Sequence, residues 1–266
     1  MGKISLIFGH PKNVVIKKLK LFNDIEVNLG TKIIQISKFR YVFNYQNNLF
    51  EIRFCYNPKK DASYLDSKKY IKRNFDDDVP EPARDLIKRI KTKFIIFFGV
   101  CGSIKTDSNV GDVFIPISTR RLYFRGKFIT KKEILSLKPS NIIKINNIFK
   151  NKISGKTVND LTTNTTAFPD NLRDLTLEEY ENCIRSYADI VQKELYEIVK
   201  GIKNKKVGFG AILICSDTPK EKLKPKHNFK FKKKYSETLI KTIKFVADLR
   251  NSSEANASSP RYRSGN

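Results

Sequence analysis

The sequence lacks several features that mark common classes of protein. It has no run of about 18 apolar residues, so no segment is suited to cross a membrane. Its four cysteines are widely spaced and include no CxxC pair, which argues against a structural zinc site and against a redox motif. The first residues do not have the pattern of a secretory signal peptide. These absences predict a cytoplasmic protein with reduced, buried thiols and no bound metal.

Acidic residues are also scarce. The chain has 27 Asp and Glu but 52 Lys and Arg, which gives a net charge of +25. Such a charge is typical of nucleic-acid-binding proteins. Lysine, isoleucine and asparagine are plentiful throughout, however, as in chains from AT-rich genomes, and a surface of this kind is usually only solvated. The densest basic segment, Lys220–Lys234, has eight lysines and one glutamate. It suits either the phosphates of a bound molecule or a solvated loop, and nucleic-acid binding is not favoured.

What is present indicates an α/β protein. A length of 266 residues with 40% hydrophobic residues suits one large domain with a substantial core. Apolar runs predict strands, alternating runs predict a hairpin, and helical spacing predicts helices. The predicted strands are Lys3–Gly9, Lys32–Phe43, Leu49–Tyr56, Lys93–Gly99 and Lys206–Cys215, and the predicted helices are Ala83–Lys91, Ala188–Lys200 and Tyr235–Leu249. We expect a single domain over residues 1–250, with a central twisted mixed β-sheet flanked by helices, and a disordered polar tail over residues 251–266.

The most informative segment is Phe97–Pro116, which reads FFGVCGSIKTDSNVGDVFIP. An apolar run enters Gly99–Ser103, and a second apolar run begins after Val110-Gly111-Asp112. The pattern predicts a strand, a glycine turn and a returning strand. Paired glycines at the end of a strand let backbone N–H groups approach phosphate or ribose oxygens, although a tight turn without a ligand has the same pattern.

A second segment, Ala211–Asp217, is an apolar run that closes on Ser216-Asp217. A buried strand that ends in this way places a carboxylate at the carboxyl edge of a sheet, where open α/β sheets bind ligands. The same residues also suit a helix N-cap. Glu194 lies 23 residues upstream, in the predicted helix Ala188–Lys200.

Together these segments resemble the nucleoside phosphorylase and nucleosidase family, which includes purine nucleoside phosphorylases, uridine phosphorylases and methylthioadenosine nucleosidases. The resemblance covers about residues 3–250. The glycine segment and Val110-Gly111-Asp112 resemble two motifs of the family, and Ser216-Asp217 resembles its catalytic Ser-Asp pair. Lys193-Glu194 resembles the ribose-binding Met-Glu pair, and the segment from Gly9 to Asn13 resembles the Gly-Asp-Pro-x-Arg phosphate loop.

The resemblance implies cleavage of the N-glycosidic bond of a nucleoside or nucleotide, most often a purine, without a cofactor but with inorganic phosphate as a possible co-substrate. It implies an acid that faces the base, a pair that holds the ribose, groups that contact the base and an anion loop. The acid is Asp217, and the ribose pair is Glu194 with Lys193. The groups that contact the base are Phe168, Ser216, Cys101 and Gly102. The anion loop consists of Gly9, His10, Lys12, Gly99 and Val100. Each of three residues also has an ordinary structural interpretation. Glu194 could be a surface glutamate, Phe168 a core phenylalanine and His10 a neutral surface histidine.

The sequence departs from the family on the nucleophile side. Asn13 and Phe97 stand where the phosphorylases have arginines, and Val100 stands where they have a hydroxyl side chain. The nucleosidases activate water with a glutamate near the first loop, but no acid lies between His10 and Asn23. Phosphorolysis and hydrolysis both stay open, and the alternative is a nucleoside-binding module that has lost turnover.

Members of the family are usually oligomers whose sites are completed by a neighbouring subunit. The resemblance therefore implies a homo-oligomer, in which an arginine such as Arg40 or Arg120 would be donated across an interface.

Overall fold

The computed structural model describes residues 2–10, 12, 14–56, 81–92, 94–105, 107–125, 128–136, 153, 155–162, 185–192, 194–203, 205, 207–218 and 231–258. These residues form a single α/β domain in which helices flank a mixed β-sheet, as the sequence predicts. No helix in these ranges has both the length and the apolar character needed to cross a membrane.

The described strands, in chain order, are β1 (Gly2–Phe8), β2 (Ile34–Ser37), β3 (Arg40–Tyr45), β4 (Asn48–Tyr56), β5 (Glu81–Pro82), β6 (Phe94–Ser103), β7 (Val113–Arg125), β8 (Phe128–Ser136), β9 (Lys156–Thr162), β10 (Ile190–Gln192) and β11 (Gly208–Asp217). The helices are α1 (Leu21–Leu29), α2 (Ala83–Arg89), α3 (Leu195–Ile202) and α4 (Lys232–Ser258), with a π-helical turn over Val14–Lys18. The sheet order is β10-β9-β7-β11-β6-β1-β4-β3-β2, with β8 paired to β7 and β5 paired to β4.

The centre of the sheet is the parallel set β4, β1, β6 and β11. Their nearly continuous apolar runs are typical of strands that are buried on both faces. Parallel strands bring their carboxyl ends to one edge, so Phe8, Tyr56, Ser103 and Asp217 end on the same side of the sheet. Ligands bind at this edge in open α/β sheets.

The sheet also closes on itself. Gly102 and Ser103, at the end of β6, pair antiparallel with Val191 and Ile190 of β10. Strand β10 pairs with β9, β9 with β7, and β7 with β11, which returns to β6. Five strands thus form a ring, and the end of β6 lies between β11 and β10.

Two layers of helices cover the two faces of the sheet. Residues Leu21 and Ile25 of α1 and Leu239 and Ile243 of α4 belong to one buried cluster with alternate residues of the central strands. Leu86 and Ile87 of α2 and Leu195 and Ile198 of α3 belong to the other cluster, with the intervening strand residues. The period of two along each strand divides its apolar side chains between these two cores.

The predicted hairpin turn and most predicted elements are confirmed, but the predicted strand Lys32–Phe43 is two antiparallel strands, β2 and β3. Strands β3 and β4 are joined by Gln46 and Asn47, whose φ angles of 46° and 59° suit a two-residue hairpin turn. Helix α4 is longer than predicted. Residues 251–258 of the predicted disordered tail are helical, and the side chain of Asn251 bonds to Asn48 at 3.1 Å and to the carbonyl of Gln46 at 3.4 Å. These bonds fasten the helix to the hairpin turn.

Two predictions are wrong. Gly99–Ser103 is the last part of strand β6 and not a turn, because this segment pairs with β11 and, at its end, with β10. The chain turns after Ser103 instead, and Gly111 there has a φ of 95°. The predicted helix Ala188–Lys200 is a short strand, β10, followed by α3. Ile190 and Val191 fit a helical stripe in the sequence, but in the structure they pair with β6 and β9.

Candidate functional site

Gly102 lies between the two segments that carry the candidate acids. In the sheet register its partner on one side is Asp217 of β11, and its partner on the other side is Val191 of β10. Neighbouring strands are about 4.8 Å apart, so the backbones of Asp217 and Val191 are about 10 Å apart across Gly102. Glu194 follows Val191 by three residues. The closed ring of strands therefore brings both acid-bearing segments to one edge.

Gly9 lies near the carboxylate of Glu194. A Cβ atom added at Gly9 would lie 2.7 Å from Cζ of Phe97 and 3.3 Å from Oε2 of Glu194. The backbone N–H of Gly9 donates to the carbonyl of Phe98 at 3.1 Å, which fixes the loop at the end of β1. Only glycine leaves room for both neighbours. The first loop and Glu194 are thus parts of one site.

Gln192 holds the backbone on which Glu194 sits. Its Oε1 accepts the N–H of Glu194 at 2.7 Å and the N–H of Leu195 at 3.1 Å. Glu194 is the N-cap residue of α3, yet its side chain makes no capping bond. Gln192 therefore satisfies N–H groups at the start of the helix that would otherwise lack partners, and the Glu194 carboxylate is directed to Gly9. Sequence reasoning missed Gln192, because the segment was interpreted as continuous helix.

Cys55 extends the site toward the end of β4. Its thiol is buried, and burial together with the negative charge of Glu194 raises its pKa well above the usual range. The thiol is therefore neutral, and it is close enough to Glu194 for the two groups to interact electrostatically. Cys55, Cys101 and Cys215 are buried and form no disulfide, as the sequence predicts for Cys101 and Cys215.

The end of β11 has an irregularity at the candidate Ser-Asp pair. The register shifts between Cys215 and Asp217, so Ser216 is an extra residue opposite β6. The Ser216 hydroxyl donates to the carbonyl of Cys101 at 3.2 Å. A bulge of this kind re-aims the residues at a strand end, and bulges are frequent next to active sites.

The Val110-Gly111-Asp112 motif braces this strand end. The N–H of Gly111 donates to the carbonyl of Cys215, and the N–H of Cys215 donates to the carbonyl of Asp112, both at 2.9 Å. The Asp112 carboxylate accepts the N–H of Asn109 at 3.1 Å and pairs with Lys156 at 3.0 Å. The motif thus fixes the residue immediately before Ser216.

His10 lies on the α4 side of the same edge. Its ring centroid is 5.9 Å from that of Tyr235, whose hydroxyl donates to the carbonyl of Phe98 at 3.5 Å. Burial raises the pKa of Tyr235 well above its usual value, so this hydroxyl stays protonated. His10 is partly buried in this position and is not a freely exposed surface residue.

The predicted anion loop is only partly assembled. The ammonium of Lys12 donates to the carbonyl of Lys38 at 3.2 Å and lies over the rings of Phe39 and Tyr41, so it is held at the β2–β3 turn. Gly99 and Val100 are paired residues of β6 and not part of a turn, and their contact with an anion stays a prediction. A Cβ at Gly99 would lie 3.2 Å from Cδ2 of Leu213, so glycine here serves close packing.

Arg40 and Arg120, which the resemblance suggests as donors to the site of a neighbouring subunit, both interact within their own chain. Arg40 pairs with Glu51 at 2.5 Å, and Lys3 and Arg53 pair with the same carboxylate at 2.6 and 3.3 Å. Arg120 donates to the carbonyl of Tyr187. Donation of either guanidinium to a neighbouring subunit stays a prediction.

The remaining candidates lie outside the described residues: Lys193, Phe168, Asn13 and the segment 219–230. Within the described part of the chain, no cluster of three or more His, Cys, Asp or Glu is arranged to hold a metal ion.

Comparison with solved structures identifies the architecture. The 5′-methylthioadenosine/S-adenosyl homocysteine nucleosidase of Campylobacter jejuni matches with a TM-score of 0.59 at 14% identity, over 93% of this chain and 98% of that one. A futalosine hydrolase mutant of Helicobacter pylori matches with a TM-score of 0.57 at 14% identity, over 93% and 99%. The apo 5′-methylthioadenosine nucleosidase of Arabidopsis thaliana matches with a TM-score of 0.61 at 12% identity, over 92% and 96%. The chain has the nucleoside phosphorylase and nucleosidase fold.

No protein-family model matches the sequence, and no curated protein matches it either. The nucleosidase fold is thus retained in a sequence that has diverged widely from the structures that share it. The fold places the end of β6, the segment before α3 and the end of β11 at one edge. The sequence-predicted residues Gly9, Cys101, Gly102, Glu194, Ser216 and Asp217 lie on these elements or on the adjoining first loop.

Proposed function

We propose that this protein cleaves the N-glycosidic bond of a purine nucleoside or nucleotide. One observation carries the proposal: a carboxylate oxygen of Glu194 lies 3.3 Å from where a Cβ would stand on the first-loop Gly9, at the sheet edge where Gly102 pairs with Asp217. A ribose-directed carboxylate and an acid at a strand end are the two groups that this reaction needs. The solved nucleosidases and hydrolase that share the fold support the same class of reaction.

The chemistry assigns one role to each acid. As the bond from C1′ to the base breaks, its electron pair passes to the base and positive charge develops on the ribose. Asp217 donates a proton or a hydrogen bond to N7 of the departing purine, which is general acid catalysis. Glu194 accepts hydrogen bonds from the 2′ and 3′ hydroxyls and fixes the sugar for cleavage. Its side chain is only 9% exposed, so those bonds form in a site with little competing water.

Water is the proposed nucleophile: its oxygen bonds to C1′ as the base leaves, and it releases one proton to solvent. Phosphate binding relies on charge-assisted donors, and arginine is the strongest of them. Phe97 is fully buried against Gly9 and Gly99, and Lys12 is held at the β2–β3 turn. The described residues at this side of the site thus offer apolar surface where a phosphate would need cations, and hydrolysis is favoured over phosphorolysis.

A nucleoside-binding module that has lost turnover is the second candidate. The observation that favours it is the same apolar packing of Phe97, combined with a first loop that has no acid between His10 and Asn23 to activate water. Such a module would use Glu194 to bind ribose and would release no base.

The test is incubation of the full chain with a panel of purine and pyrimidine nucleosides and nucleotides, with free base measured by chromatography. Calorimetric titration of the same compounds measures binding. The proposal expects base release from purine compounds, and both binding and release should be lost in Glu194→Gln. Binding that depends on Glu194 without base release would instead establish the binding module.

A further inference from the structure

A groove with a volume of about 520 Å³ lies between α1 and α4, apart from the candidate site. Among the residues that the structure describes, those that line it belong to these two helices. The volume is in the range of ordinary ligand pockets. Nothing in the proposed reaction uses this groove.

The groove is long and follows one ridge of α4. Its α4 residues recur at every fourth position, which is the spacing of neighbours on one helix face. The two rows are Lys232, Ser236, Ile240 and Lys244, and beside them Lys233, Glu237 and Lys241. At 1.5 Å per residue the row from Lys232 to Lys244 is about 18 Å long.

Four lysines occupy the two ends of the groove, Lys232 and Lys233 at one end and Lys241 and Lys244 at the other. Among the residues that the structure describes, no carboxylate lies within ion-pair distance of their ammonium groups. Backbone positions at the two ends are about 12 to 18 Å apart, too far for all four lysines to share one phosphate. The spacing suits an extended chain of anions.

The middle of the groove has a different chemistry. Ser236 and Glu237 of α4 lie between the two lysine pairs along the helix, and Asp24 and Asn28 of α1 also line the groove. The two carboxylates repel a uniform polyanion. They can, however, accept hydrogen bonds from the amino groups of bases, as acidic side chains do with cytosine. Base edges are available for such bonds in a single strand.

We propose that the groove between α1 and α4 binds single-stranded nucleic acid. The lysines at both ends contact phosphates, and the polar residues between them contact base edges. The net charge of +25 steers the strand toward the protein over a longer range. This binding does not depend on the proposed reaction.

The first test measures the salt dependence of binding of a fluorescent single-stranded oligonucleotide to the full chain. The groove variant is Lys241→Gln with Lys244→Gln, and the matched control is Lys91→Gln with Lys203→Gln, two exposed lysines elsewhere. Each single-strand phosphate contact contributes about −0.7 to the slope of log K against log salt. The groove variant should therefore lose about 1.4 from the slope and on the order of 20-fold in affinity at ~0.1 M salt. The control should keep the wild-type slope. Equal losses in both variants, or no binding by the wild type, would overturn the proposal.

The second test separates nucleic acid from other polyanions. Asp24→Asn with Glu237→Gln removes the repulsion and the strongest base acceptors together. The variant should bind inorganic polyphosphate more tightly and the oligonucleotide less tightly than the wild type does. Tighter binding of both would show that the groove recognises charge alone, and the nucleic-acid assignment would be wrong.

Discussion

Oε1 of Gln192 lies 2.7 Å from the backbone nitrogen of Glu194 and 3.1 Å from that of Leu195. One side chain thus caps helix α3 and sets the backbone position of the proposed ribose ligand. Gln192 is a positioning residue in this account, since it acts through Glu194.

Gln192→Ala should weaken both the fold and the reaction. Loss of a helix N-cap costs about 1 to 2 kcal/mol of stability. Because Glu194 would also lose its fixed position, kcat for base release should fall more than stability alone explains, measured well below the melting temperature. Gln192→Glu keeps an acceptor oxygen and should restore most of kcat. A purely structural cap would give an unchanged kcat in both variants.

Gly9→Ala should introduce a clash, because the new Cβ would lie 2.7 Å from the buried ring of Phe97. Overpacking of this kind costs about 1 to 3 kcal/mol, which chemical unfolding would detect. Phe97→Leu in the same chain removes ring atoms at the clash and should recover part of the loss. If the double variant is as unstable as the sum of the single variants, Gly9 and Phe97 are not in contact as described.

Glu51 should make the fold sensitive to acid. Burial raises the pKa of its carboxyl, but the hydrogen bond from Lys3 and the charges of Arg53, Lys3 and Arg40 outweigh it, so the pKa is below its usual value. The group therefore stabilises the fold above the ordinary glutamate pKa, and this contribution is lost as pH falls through the lowered pKa.

Glu51→Gln tests that relationship. The variant should be less stable by about 1 to 3 kcal/mol at neutral pH, the range for hydrogen bonds to charged groups. The difference in unfolding free energy between wild type and variant should shrink as the pH is lowered toward 3. A difference that stays constant with pH would show that the ionised carboxylate does not stabilise the fold.

The sequence predicts the sheet well, because its central strands are uninterrupted apolar runs. It also identifies two segments that meet at one edge of the sheet, since Glu194 and Asp217 belong to motifs with family-like order and spacing. It could not predict that Gly99–Ser103 continues β6. The pairing of that segment depends on β10, which is distant in sequence, and short apolar runs such as Ile190-Val191 fit a helix stripe and a strand equally well.

The contacts within the site were also beyond prediction from sequence. The apolar character of Phe97 does not reveal that its ring packs beside Gly9. The sequence likewise does not reveal that the ammonium of Lys12 binds a carbonyl and two aromatic rings at the β2–β3 turn. Cys55 belongs to no recognised motif, and only the tertiary fold brings it to Glu194. Gln192 is only two residues from Glu194, but its capping bonds depend on the end of β10 and the start of α3, where the sequence predicts one continuous helix.

Asp217→Asn should separate catalysis from binding. Loss of a positioned general acid lowers turnover by on the order of 100- to 10,000-fold. Nucleoside affinity should change little, because in this account Glu194 holds the ribose. Turnover comes from initial rates of base release and affinity from calorimetry. Wild-type turnover in this variant would show that Asp217 only caps the segment that follows it.

The most direct test of the account is the rate of purine base release in phosphate-free buffer, compared with the rate after inorganic phosphate is added. We predict release without phosphate, little or no stimulation by phosphate, and free ribose as the sugar product. Phe97 and the held Lys12 leave the nucleophile side without the cations that a phosphate needs. Base release that strictly requires phosphate and yields ribose 1-phosphate would contradict the account.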